Sequence, residues 1–245
     1  MTFLKDRPFY LLFGIVSLVG FAADQASKYV VFAKLYPAAG QIGVVHAVIP
    51  GYFDLLTHWT DKDDPGDQPL SFLRTISGKR LPELNKGALF GLGNARDGSG
   101  GWNNVFLAIS VLAAGFVIYW AARPAVAQDR YLCLALGLIL GGTLGNLYDR
   151  AVFGGVRDFL HCYIQFEGDV QPRIWPDFNI ADACLVCGAG ILLVHSFFVK
   201  EPEPAKPEPA AATTETPAPQ PIVVTDITAQ NKPIVVTDIT AQKNP

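Results

Sequence analysis

Four stretches of this chain are apolar for about as long as a bilayer is thick, and they limit its possible folds more than any other feature. They cover about 9–33, 102–122, 131–148 and 181–199. A helix needs roughly 20 apolar residues to cross the hydrocarbon. Composition agrees: 50% of residues are hydrophobic and 17% charged, where an ordinary soluble domain has about 25% charged. The expected fold is mainly α, a four-helix integral membrane protein.

The first stretch follows Lys5 and Arg7, and Phe21-Ala22-Ala23 loosely resembles a cleavage site. We read it as a span and not as a removed leader. Three more spans follow, and the helical pattern runs on through Asp24 and Lys28. Basic residues then set the orientation. Lys5, Arg7, Arg123, Arg130, Lys200 and Lys206 all fall on one side if both termini are cytoplasmic. The segments 34–101 and 149–180 would then face outside.

Net charge is −3, which predicts no nucleic-acid partner. Cys184-x-x-Cys187 has the spacing of a metal or redox motif. No further ligands stand at matching depth, so we read two small residues in an apolar helix and expect no metal and no cofactor.

Between the spans, residues 41–58 read as two short strands around Pro50-Gly51. Residues 59–83 are charged and rich in turn formers, so they read as an exposed loop or insertion. Residues 94–101 read as a turn. The division is a membrane-embedded body at 1–200 and a tail at 201–245. The tail is Pro- and Ala-rich, hence disordered, and then repeats "PIVVTDITAQ" at 221–230 and 233–242.

The fourth span opens on a carboxylate, Asp182. An ionised Asp in hydrocarbon is costly, which marks it as paired or functional. A polar cluster ends the third span: Asn146, Asp149, Arg150 and, beyond it, Asp158. A helix brings the first three toward one side. Read alone, Asp149 and Arg150 are equally a capped, solvated helix end. Asp158 is the natural partner of Asp182, since both stand where a span meets the intervening loop. Two close carboxylates share a proton and titrate as a unit. Such a pair activates water with one member and polarises a carbonyl with the other, which predicts amide hydrolysis without a covalent intermediate.

These residues resemble a known family. Gly145-Asn146-x-x-Asp149-Arg150-x-x-x-Gly154-x-Val156-x-Asp158-Phe159, with Phe178-Asn179-x-Ala181-Asp182, is similar to lipoprotein signal peptidase (signal peptidase II). Asp24-Gln25-x-x-Lys28 and Asn85-x-Gly87-Ala88-x-Phe90 match two further motifs. The resemblance covers about 8–200. It implies an aspartyl membrane peptidase of the bacterial inner membrane with four helices and a small extracytoplasmic β-sheet, the β-cradle. Its substrates would be diacylglyceryl-modified prolipoproteins, cut before the lipidated cysteine, with membrane lipids as its other partners. It also implies a monomer with its active site near the outer face. Asp158 and Asp182 take the catalytic roles. Asn146, Asp149, Arg150 and Asn179 surround them, and Asn85 and Gly87 lie on a substrate-facing loop. Asp24 and Lys28 are either substrate contacts or a plain i,i+4 ion pair. Two departures concern the pocket: the insertion at 59–83, and Leu89 where a small residue is usual.

Other membrane proteases fit poorly. No His-Glu-x-x-His occurs, and Ser27 and Lys28 are adjacent and so cannot face each other as a dyad. The rival of another class is a small transporter or channel using its carboxylates as ion ligands. It would place acids near the midplane and repeat its halves, whereas these acids gather at one interface.

Overall fold

The computed structural model describes residues 9–87, 101–164, 166 and 170–198. Of the turn expected at 94–101, residues 94–100 lie outside the described residues and Gly101 already belongs to a helix; the positions Ala88, Leu89 and Phe90 and the tail with its repeat also lie outside the described residues.

Four long helices match the apolar stretches: α1 (Tyr10–Lys34), α3 (Gly101–Ala121), α5 (Arg130–Val152) and α6 (Ile180–Phe198). All four are long and apolar enough to cross a membrane. Two one-turn helices, α2 (Ser71–Arg74) and α4 (Pro124–Ala127), lie in connections. The third span outlasts its apolar stretch. It continues to Val152 because Asp149 and Arg150, which by sequence could have been a solvated helix end, are buried and bonded within the protein.

Half of the α5 span is buried, against 28%, 17% and 11% of α1, α3 and α6, so α5 is the central helix. It starts where Asp129 accepts from the N–H groups of Tyr131 and Leu132, a side-chain cap for otherwise unpaired amides. The buried positions of α1 are Phe13, Ser17, Gly20, Asp24, Gln25, Lys28 and Phe32. That spacing of three and four makes one stripe, apolar at both ends and charged in its middle. Small residues let α1 and α5 approach. A Cβ on Gly145 would stand 2.5 Å from Asp24 Oδ2 and 3.1 Å from Ala181 Cβ. Outer faces stay apolar and exposed, as at Leu18, Leu112 and Phe116, which suits a lipid surrounding.

A small antiparallel sheet sits at the end where α1 finishes and α6 begins. It comprises β1 (Gly43–Ile49), β2 (Phe53–Asp63), β3 (Arg80–Pro82), β4 (Leu160–Ile164) and β5 (Arg173–Ile174), in the order β1-β2-β4-β5 with β3 also on β2. Phe53 and Leu55 pair with Cys162 and Leu160. Phe32, Trp59, Phe159 and Leu160 form the core beneath it.

The expected strand pair around Pro50-Gly51 is present, but residues 59–83 are more ordered than an exposed loop. β2 runs on to Asp63, and β3 returns against it through Trp59–Pro82 and Asp63–Arg80. Trp59 is buried and donates to the Leu35 carbonyl, so the segment opens with an apolar anchor. Asp64 accepts twice from Arg74, at 2.6 and 3.1 Å. Those bonds hold the Asp64 carboxyl below its usual range. Ser77 donates to the Tyr29 carbonyl, and Tyr29 to that of Leu73, fastening the segment to α1.

Candidate active site

Two isolated β-bridges assemble the site from distant parts of the chain. Asn85 pairs with Val156, and Phe178 pairs with Leu160. The first bridge sets Asn85 beside Asp158, two residues on. The second sets Asn179 there. Asn85 Nδ2 donates to Asp158 Oδ2 at 3.1 Å, and Asn179 Nδ2 donates to Asp158 Oδ1 at 2.7 Å.

Asn179 also caps α6. Its Oδ1 accepts from the Asp182 N–H at 3.1 Å, while Asp182 Oδ2 accepts from the Asn179 N–H at 3.1 Å. This reciprocal pair is a capping box. It answers why an apolar helix opens with a carboxylate: Asp182 stands in the first turn, where negative charge complements the helix dipole. Asn146 Nδ2 donates to the other oxygen, Oδ1, at 2.9 Å. Asn179 therefore holds both carboxylates, one by its side chain and one by its backbone.

The pair is electrostatically uneven. Asp158 is pushed up to about 7, first by desolvation and then by the charge of Asp182, against the hydrogen bonds from Asn85 and Asn179. Below about pH 7, Asp158 therefore keeps its proton.

Behind it lies a buried charge cluster. Lys28 Nζ is 2.8 Å from Asp24 Oδ2 and 3.3 Å from both Asp149 Oδ2 and Asn146 Oδ1. Arg157 binds Asp149 through its backbone N–H and its guanidinium, and donates to Gln25 Oε1 at 3.0 Å. Two cations thus face two carboxylates, and all four are almost fully buried. That balance is what burial of charge requires. Asp24 Oδ1 accepts from the Ala181 N–H at 2.9 Å, so the cluster also caps α6.

Helical spacing separates the polar residues of α5. Asn146 and Arg150, four apart, line a cavity of about 350 Å³ between α3, α5 and α6, with Asp182 beside them. Phe106, Ile109, Leu185 and Val186 form its apolar wall. Asp149 instead turns toward α1, where it meets Lys28 and Arg157. Arg150 donates to the Gly87 carbonyl at 2.6 Å and lies over the Phe106 ring. Gly87 N–H bonds Asn85 Oδ1 at 3.0 Å. Every expected site residue is therefore in this network, with Asp24 and Lys28 buried as an ion pair. Sequence reading missed Arg157 as a member. Its signal was an arginine directly before Asp158, in a segment returning toward the membrane.

The chain has recognisable relatives. A family model described as signal peptidase (SPase) II matches residues 81–198. The lipoprotein signal peptidase of Rhodopirellula baltica is 36% identical over 200 residues, 77% of this chain and 72% of that one. The lipoprotein signal peptidase of Maridesulfovibrio salexigens is 31% identical across 77% and 96%, and that of Aeromonas hydrophila 37% across 74% and 86%. A bacterial membrane enzyme solved by the in meso method shares the fold with a TM-score of 0.54, at 21% identity over 78% of this chain and 93% of that one. The chain belongs to the lipoprotein signal peptidase family.

Proposed function

We propose that this chain is an aspartyl endopeptidase that removes the signal peptide of diacylglyceryl-modified prolipoproteins by cutting before the lipidated cysteine. The observation that carries the reading is the joint hold of Asn179 on Asp158 and Asp182. Asp182 is the base that takes a proton from water, and Asp158 is the acid that protonates the scissile carbonyl. Water attacks that carbonyl, and the resulting diol collapses with transfer of a proton to the leaving nitrogen. No acyl-enzyme forms. Acid–base help of this kind contributes roughly 10²–10⁴-fold.

Asn85, Gly87, Asn146 and Arg150 border the substrate, while Asp24, Lys28, Asp149 and Arg157 hold the frame. The apolar wall beside Asp182 receives acyl chains and signal-peptide side chains from the bilayer. The protein works as a monomer in the bacterial inner membrane, with both termini cytoplasmic and the dyad near the outer face. The body at 1–200 carries the chemistry, and the tail at 201–245 is dispensable for it. Family membership favours this reading over an ion-conducting one.

The test is incubation of the purified protein with a diacylated prolipoprotein, followed by mass measurement of both products. The expected products are an intact signal peptide and a chain beginning with the lipidated cysteine. A cut elsewhere, or none, contradicts the proposal.

A further inference from the structure

Residues 68–78 of the inserted segment read "QPLSFLRTISG" and carry one charge, Arg74. Asp64 neutralises it through an ion pair of 2.6 Å. The hydroxyls also have partners. Ser71 Oγ donates to the Gly66 carbonyl, Thr75 Oγ1 to that of Ser71, and Ser77 Oγ to that of Tyr29. What faces outward is apolar. Within 71–78 only Phe72 and Ile76 are exposed, at 68% and 60%. They stand four apart along two successive helical turns, so they share a side. A loop facing water shows the reverse pattern. The preceding half of the segment does so, exposing Asp61, Lys62, Asp63 and Asp67.

The apolar half lies at the level of the membrane surface. A hydrocarbon layer of about 30 Å takes roughly 20 helical residues. Counted from Tyr10 at the start of α1, that reaches Val30. Its neighbour Tyr29 is the residue that binds Ser77 and the Leu73 carbonyl. The other side of the segment gives the same level on α3. Gln68, Pro69 and Leu70 line one cavity with Asn103, Asn104 and Leu107, in the first two turns of that helix. Val30, Trp102 and Val105 at this level are themselves exposed, and tryptophan and tyrosine mark the edge of a bilayer. The face of Phe72 and Ile76 therefore continues the lipid-facing surface of the spans.

We propose that the inserted segment is a membrane anchor: Phe72 and Ile76 dip among acyl chains in the leaflet on the dyad's side of the bilayer, while residues 61–67 stay in water. A bilayer surface is the occupant this face fits, because with Arg74 paired it offers apolar area and no net charge. Since β2 and β3 flank the segment, the anchor ties the small sheet to the membrane. The inference rests on the four helices spanning a bilayer and not on the peptidase reading.

The experiment reconstitutes the full chain in phosphatidylcholine vesicles with a photoreactive benzoylphenylalanine in place of Phe72, Ile76, Leu112 or Asp67. Lipid adducts are measured by mass after illumination. Leu112 is the reference on the exposed side of α3, and Asp67 is the reference in water. Positions 72 and 76 should give lipid adducts in a yield comparable with 112, and position 67 should lose them. Either position decides the matter if the other variant does not fold. Absence of lipid adducts at 72 and 76, with 112 labelled, overturns the inference. Chain-to-chain adducts in their place also overturn it, since a second copy would then cover the face. Equal labelling at 67 does the same, because the probe and not the segment would be entering the lipid. An unlabelled 112 contradicts the spanning arrangement on which the inference rests. Cleavage is not the readout, so the peptidase reading stands or falls separately.

Discussion

Asp24 Oδ1 accepts a hydrogen bond of 2.9 Å from the backbone N–H of Ala181, joining the buried charges of α1 to the residue just before Asp182. Removing that carboxylate uncaps α6 and leaves Lys28 buried with only Asp149 as counter-charge. Breaking a buried pair costs about 3–5 kcal/mol. Asp24→Ala should therefore lower the thermal midpoint sharply and reduce cleavage even in the fraction that remains folded. An unchanged midpoint would show that the cluster is not needed for stability.

In the proposed mechanism the proton on Asp158 sets the pH dependence. Asp158 holds its proton up to about pH 7. Above that, Asp158 is ionised and the proposed acid is lost, so kcat should fall along an alkaline limb centred near 7. Stability runs in the same direction. The ordinary carboxyl value is 3.8, so between roughly pH 4 and 7 the folded state binds this proton more tightly than the unfolded chain, and stability falls as pH rises. In Asp182→Asn the neighbouring charge is gone, so the Asp158 carboxyl should titrate lower. Carbon NMR of labelled aspartate reads this directly, and an unmoved titration would remove the coupling.

Close helix approach gives a paired test. Gly145→Ala sets a methyl against Asp24 and Ala181, whereas a Cβ on Gly190 meets nothing within 4 Å. Overpacking costs about 1–3 kcal/mol. Gly145→Ala should destabilise the fold and slow cleavage, while Gly190→Ala should do neither. Equal behaviour of the two variants in thermal unfolding would argue against the packing seen here.

Acyl chains buried against an apolar wall contribute about 0.8 kcal/mol per CH₂. Precursor lacking diacylglycerol should therefore be cleaved at least about a hundredfold less efficiently than the lipidated form. Kinetics on matched substrates measure this, and equal kcat/KM would separate the apolar cavity from substrate binding.

The spans were legible because hydrophobic length is a local property: α1 at Tyr10–Lys34 and α6 at Ile180–Phe198 lie within one residue of their apolar runs. The third span was read short at 148 because hydropathy stops where pairing takes over. Nothing local in Asp149 shows that Lys28 and Arg157 neutralise it from distant positions. The strand order around 59–83 was hidden for a similar reason, since charged residues near Asp63 suggest a loop until Arg80 pairs back across them. Asp158 and Asp182 stood out because carboxylates beside apolar runs are costly. The partners that hold them, Asn85 and Asn179, were named only through family motifs, because single β-bridges leave little trace in sequence.

The most direct test of the central claim is turnover of diacylated prolipoprotein by Asp158→Asn, Asp182→Asn and the double variant, with folding of each verified by thermal unfolding. The amides preserve shape but cannot exchange the shared proton. Each single variant should lose essentially all cleavage, and the double should lose little more, because the pair acts as a unit. Near-normal turnover by either folded single variant would contradict the assignment of Asp158 and Asp182 as the catalytic dyad.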